Sequence, residues 1–109
     1  MAETPPLREP TFFVLTALLP GPLHGYGIIK AVEEMSGGRV RLRAGTLYAA
    51  LERLENAGCV VLDREETEGG PPRRYYRLTD AGRAALEGFR LEWSRFRDAV
   101  DRFVEGGSQ

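Results

Sequence analysis

The stretch over 44–58 constrains this chain most. Leu47, Ala50, Leu51, Leu54 and Ala57 recur at helical spacing on one face, and Gly58 follows where a helix can leave through left-handed backbone. The spacing predicts a helix over 44–57. A single apolar stripe must be buried against other elements, so the sequence on either side decides the fold.

Downstream, 59–64 is β-branched and apolar, and Gly69-Gly70-Pro71-Pro72 is the strongest turn signal in the chain. Residues 73–78 then alternate, with Tyr76 and Leu78 facing inward, so a hairpin with a stiffened tip is expected. Thr79 and Asp80 suit the start of a last helix running from about 81 toward 104, before Gly106-Gly107. Upstream, Phe12, Leu15, Leu18 and Leu19 share a helical face over 11–19, ended by Pro20-Gly21-Pro22. A second helix over 24–36 uses Tyr26 or Ile28, then Ile29, Val32 and Met35, with Gly37-Gly38 as its stop. Tyr26 is expected in the core, and His24 is expected to cap this helix, while Gly25 and Gly27 permit close helix approach. Residues 39–43 alternate strictly, which predicts a short strand carrying Arg39, Arg41 and Arg43 on one face.

Helix, helix, short strand, helix, hairpin, helix is the order of a winged helix-turn-helix: mainly α, with a small β-hairpin and a C-terminal helix added. A chain of 109 residues fits one such unit. The expected organisation is a flexible N-terminal arm over 1–10, a winged helix-turn-helix domain over 11–79, a C-terminal dimerisation helix over 80–105 and a flexible tail over 106–109.

The single cysteine, Cys59, has no internal partner, and no Cys and His cluster has metal-ligand spacing, so neither a metal nor another cofactor is expected. With one histidine and no Gly-rich phosphate loop beside a strand, catalytic groups are too scarce for an enzyme. No run reaches signal-peptide or membrane-span character, and a cytoplasmic protein is expected. The net charge of -1 is set against two basic patches. Residues 39–53 hold four arginines and one acid, and Arg73, Arg74 and Arg77 form a second knot.

Four ordered motifs resemble the PadR family of bacterial transcriptional regulators. They are Leu23-His24-Gly25-Tyr26-Gly27-Ile28, then Gly45-Thr46-Leu47-Tyr48, then Leu51-Glu52-Arg53-Leu54-Glu55 with Gly58 following, and Arg73-Arg74-Tyr75-Tyr76-Arg77-Leu78-Thr79 running into Ala81-Gly82-Arg83. The match covers about residues 15–86. It implies a winged helix that binds a double-stranded DNA operator, as a transcriptional repressor. In such a fold the third helix enters the major groove and the wing touches backbone or minor groove. The expected contacts are therefore Arg43, Gly45, Thr46, Tyr48 and Arg53 around the third helix, with Arg73 and Arg74 on the wing over 66–74. Arg53 has the alternative of pairing with Glu52 or Glu55 on a solvated face. The wing arginines have the alternative of pairing with Glu65, Glu66 and Glu68.

The last helix carries Leu86, Phe89, Trp93, Phe96, Val100 and Phe103 at spacings of three and four, a heptad seam that wants a partner once the first three helices close the core. A homodimer would set two reading helices against a palindromic site. Resemblance agrees, since PadR-like regulators dimerise through their C-terminal helices, and the single such helix matches the short branch of the family. In similar drug-responsive repressors, paired tryptophans stack a planar aromatic ligand. By that resemblance Trp93, flanked by Phe89 and Phe96, is the candidate for a small aromatic effector; filling the interface is the other account of its place. The alternative function is a winged-helix protein-interaction or dimerisation module without sequence-specific DNA binding.

Overall fold

The structure, a computed structural model, describes residues 9–106. Its elements run α1 (Glu9–Ala17), β1 (Leu23–His24), α2 (Gly25–Met35), α3 (Ala44–Asn56), β2 (Val60–Glu66), β3 (Arg73–Leu78) and α4 (Asp80–Gly106). The arm expected over 1–10 lies outside the described residues as far as residue 8, and Glu9 and Pro10 are already helical. Of the expected tail, 107–109 lie outside them as well.

The helix ends follow from their sequences. Pro20 cannot continue α1, and the chain tightens beforehand: the Leu18 amide donates to Leu15 and the Leu19 amide to Thr16, each three residues back. α2 and α3 end alike. In each, a glycine in left-handed backbone, Gly37 (φ 64°) or Gly58 (φ 79°), lets the next amide reach back over the last turn. Gly38 N–H donates to Glu33 and Cys59 N–H to Leu54, both at 2.8 Å.

The sheet order is β1-β3-β2, antiparallel throughout. β2 and β3 form the expected hairpin, with a bulge at Asp63, where Leu62 faces Tyr76 and Arg64 faces Tyr75. The third strand is not where the alternation put it. Residues 39–43 form an irregular segment: the Ser36 hydroxyl accepts the Val40 amide at 2.9 Å, and the two-residue β1 covers the edge of β3. A strand needs a partner edge, and that edge is taken. The alternation still reports burial, for Leu42 is buried and Val40 half-buried while Arg39, Arg41 and Arg43 are exposed.

Val14 and Leu15 of α1, Leu18 in the turn after it, Ile28 and Val32 of α2, and Leu47, Leu51 and Leu54 of α3 fill the core with Val60, Tyr76 and Leu78 of the sheet. Leu19, expected on the buried face of α1, is partly exposed. The core also takes Leu86 from α4, so the first three helices do not close it alone. Thr79 fixes that docking: its Oγ1 accepts the Gly82 amide at 3.0 Å, and its own amide donates to the Cys59 carbonyl. Gly82 lies so close to this carbonyl that a Cβ there would sit 2.0 Å from the oxygen. Burial pushes the Cys59 thiol up from its ordinary range, leaving it a small inert apolar group.

Candidate nucleic-acid interface

The buried stripe of α3 leaves Gly45, Thr46, Tyr48, Ala49, Glu52 and Arg53 on its outer face, and Tyr48 is 55% exposed. Two hollows flank this face. On the wing side, a cleft of about 660 Å³ is lined by His24, Gly25, Tyr26, Tyr48, Pro72, Arg73 and Arg74. On the other side, a groove of about 480 Å³ is lined by Pro10, Arg39, Val40, Arg41, Leu42, Arg43 and Thr46. Thr46 and Tyr48, two residues apart, therefore serve opposite flanks of α3. Gly45 stands exposed between them on the first turn. Arg53, in the last turn, lines neither hollow, and it forms no ion pair with Glu52 or Glu55 among the described residues.

The arginines are not equivalent. Arg74 Nε meets Glu65 at 3.4 Å, Arg77 meets Asp63 at 3.3 Å, and Arg41 meets Glu33 at 3.4 Å. Arg64 bonds both Glu66 and Asp63 at 3.1 Å, and the Glu66 hydrogen bond is the main cause holding its guanidinium above the ordinary range. Arg73, Arg39 and Arg43 have no carboxylate partner among the described residues. The guanidiniums in these pairs are exposed, where solvent screens an ion pair, so the pairing on the wing is weak.

Sequence reasoning missed two lining residues. Tyr26, expected in the core, is 72% exposed, because Gly25, Ile28 and Val32 form the buried face of α2 and leave position 26 outside. His24 does cap α2, with Gly27 N–H donating to Nδ1 at 3.1 Å, yet it also lines the cleft. A strict count of the α2 stripe from Ile28 and Val32 would have placed Tyr26 outward. Of the two glycines, Gly25 is the one at a close helix contact, since a Cβ there would stand 2.8 Å from the Tyr48 hydroxyl.

The seam on α4 divides. Leu86, expected in a dimer interface, is 2% exposed inside its own core, and Phe89 is half-buried against Phe12, with ring centroids 4.8 Å apart. Leu86 is thus a core residue. Beyond them, Trp93 (55% exposed), Phe96, Val100 and Phe103 lie open along the helix, and the Trp93 and Phe96 rings are 5.9 Å apart. Phe12, Phe89 and Trp93 share a further hollow of about 350 Å³ with Arg90 and Arg97.

Three helices, a two-stranded wing beside the third and a long extra helix define a winged helix-turn-helix protein. Residues 14–88 match the model of the transcriptional regulator PadR-like family, and this chain belongs to that family, whose members regulate transcription rather than catalyse reactions. A transcriptional regulator of Mycobacterium tuberculosis is 46% identical over 75 residues, covering 69% of this chain and 65% of that protein. A PadR family regulator from Clostridium difficile superposes with a TM-score of 0.74 at 25% identity, over 89% of this chain and 99% of that one. Bacillus subtilis PadR, in a structure with operator DNA, is similar at a TM-score of 0.67 and 26% identity; 75% of this chain covers 46% of that one. The chain thus spans under two-thirds of the Mycobacterium tuberculosis regulator and under half of Bacillus subtilis PadR. No described helix is long and apolar enough to cross a membrane.

Proposed function

We propose that this chain represses transcription by binding a palindromic DNA operator as a homodimer. α3 enters the major groove, with Gly45, Thr46 and Tyr48 at the bases and first phosphates; Arg43 and the wing's Arg73 and Arg74 hold the backbone. Arg53 reaches the backbone only at the far end of α3. The observation that carries this reading is the pair of cationic hollows on either side of the exposed α3 face. A duplex presents phosphates on both lips of its major groove, so a reading helix needs donors on both of its flanks. The operator complex of the Bacillus subtilis neighbour lends support.

The homodimer forms through the outer stretch of α4. Trp93, Phe96, Val100 and Phe103 are exposed on one chain, and a two-fold axis would cover them with their own copies. A planar aromatic ligand stacked between the Trp93 rings, beside Phe89 and Phe96, would change the separation of the two α3 helices and release the operator. Net charge of -1 and the glutamates at 65, 66 and 68 favour the second reading, a dimerisation module that binds no DNA.

A salt titration of duplex binding decides between them. Each phosphate neutralised by an arginine lowers the log-log slope by about 0.9, so Arg43, Arg73 and Arg74 of both protomers give a slope of about -5. Failure to bind any duplex at low salt ends the DNA reading.

A further inference from the structure

The wing-side cleft has a chemical uniformity that its position alone does not require. Every side-chain polar group lining it can donate a hydrogen bond: the His24 imidazole, the Tyr26 and Tyr48 hydroxyls, and the Arg73 and Arg74 guanidiniums. No carboxylate lines it. Glu65, across the wing from Arg74, engages it through Nε, so the outer nitrogens of that guanidinium stay available. A hollow with donors and cations but no anion fits an anionic oxygen ligand.

His24 is tied down on two sides. Its Nδ1 accepts the Gly27 amide, so the neutral ring carries its proton on Nε2, and that N–H is the only donor the ring has left. The backbone of His24 pairs with Tyr75 across β1 and β3. Its ring meets the Tyr75 edge at 5.2 Å and stacks on Tyr26 at 6.5 Å, while Arg64 lies 4.0 Å over the other ring, Tyr75. One histidine is therefore fixed by the helix it caps and by the wing strand it pairs with. A donor held this way loses little freedom on binding.

We propose that His24 is a DNA-contacting residue, donating its Nε2–H to one backbone phosphodiester seated in the cleft between α3 and the wing, beside Arg73. The cap on α2 and the phosphate contact are then two faces of one ring, which ties the register of α2 and the wing to a single phosphate. The inference rests on the DNA-binding reading above.

Two isosteric substitutions separate the two faces. His24→Asn keeps an acceptor where Nδ1 stands and removes the outer donor; His24→Gln keeps an amide donor where Nε2 stands and gives up the cap. On a mixed-sequence duplex, His24→Asn is expected to weaken binding by the homodimer about a hundredfold, about tenfold for the hydrogen bond to a charged group lost in each protomer. Its salt slope should not change, because a neutral donor releases no counterion. His24→Gln should stay within about threefold of the natural protein, about half a decade. Arg73→Ala is the control: it removes one arginine from each protomer, so it should weaken binding and flatten the slope of the homodimer by about 1.8.

If the natural protein binds no duplex, or Arg73→Ala leaves both affinity and slope unmoved, the DNA-binding reading of this face fails. If Arg73→Ala behaves as expected, the His24 inference is overturned alone by equal loss in both histidine variants, by loss in Gln only, or by loss in neither. His24 is the only histidine, so its ring resonances are identified without assignment. Duplex should shift them; no shift, or an equal shift from inorganic phosphate at the same ionic strength, overturns the assignment to a DNA strand.

Discussion

The two ends of α4 share one periodic apolar seam and meet opposite fates. Between Asp80 and Phe89, Leu86 is sealed in the core and Phe89 rests on Phe12; beyond Leu91, Trp93, Phe96, Val100 and Phe103 all stand exposed. The difference lies in what runs alongside. The inner turns are clamped by Thr79 to the start of β2 and overlaid by α1, whereas no described element covers the outer turns. Equal spacing thus predicts an apolar face but not which surface covers it.

Substitutions along α4 test that contrast. The largest effect is expected from Gly82→Ala, where a Cβ would enter the Cys59 carbonyl and backbone cannot yield as a side-chain tip would. The cost should reach about 4 kcal/mol or more, read as a collapsed urea midpoint or loss of the cooperative transition. Leu86→Ala should cost about 3 kcal/mol, the price of deleting a fully buried leucine side chain, measured by the same unfolding curve.

Trp93→Ala should leave the helical circular dichroism intact. Its expected effect is on self-association, about 2 kcal/mol or thirtyfold in dimer dissociation constant by analytical ultracentrifugation, as for a central aromatic at an interface. An unchanged dissociation constant would remove Trp93 from the interface. Gly88→Ala should reverse the sign expected at Gly82. No atom lies within 4 Å of the added Cβ, so the helix should gain about 0.5–1 kcal/mol, seen as a small rise in melting temperature. Should Gly88→Ala destabilise instead, the outward face of the inner turns is covered by something other than solvent.

Much of the domain was legible because its signals are local. The α3 stripe, the Gly58 exit, the Gly-Pro turn and the Thr79 cap each depend on residues a few positions apart, and all four stand as expected. The errors were non-local. Alternation at 39–43 read as a strand because alternation cannot reveal that Leu23–His24 occupies the edge of β3. Tyr26 read as core because aromatic residues in helices commonly are, while the face it occupies depends on where Ile28 and Val32 point. The candidate site was legible on α3 and the wing, through Tyr48, Arg73 and Arg74. The part supplied by α2, His24 with Tyr26, was not, since nothing in the chain's order says that the start of α2 lies beside the wing.

The sequence by itself determined the elements, their caps and the basic patches, since each is set by backbone preferences and charge within a few residues. Tertiary structure alone decided which groups share a cleft and which half of the α4 seam is spent on the core. Both depend on distances between segments far apart in the chain, and periodicity carries no record of those distances.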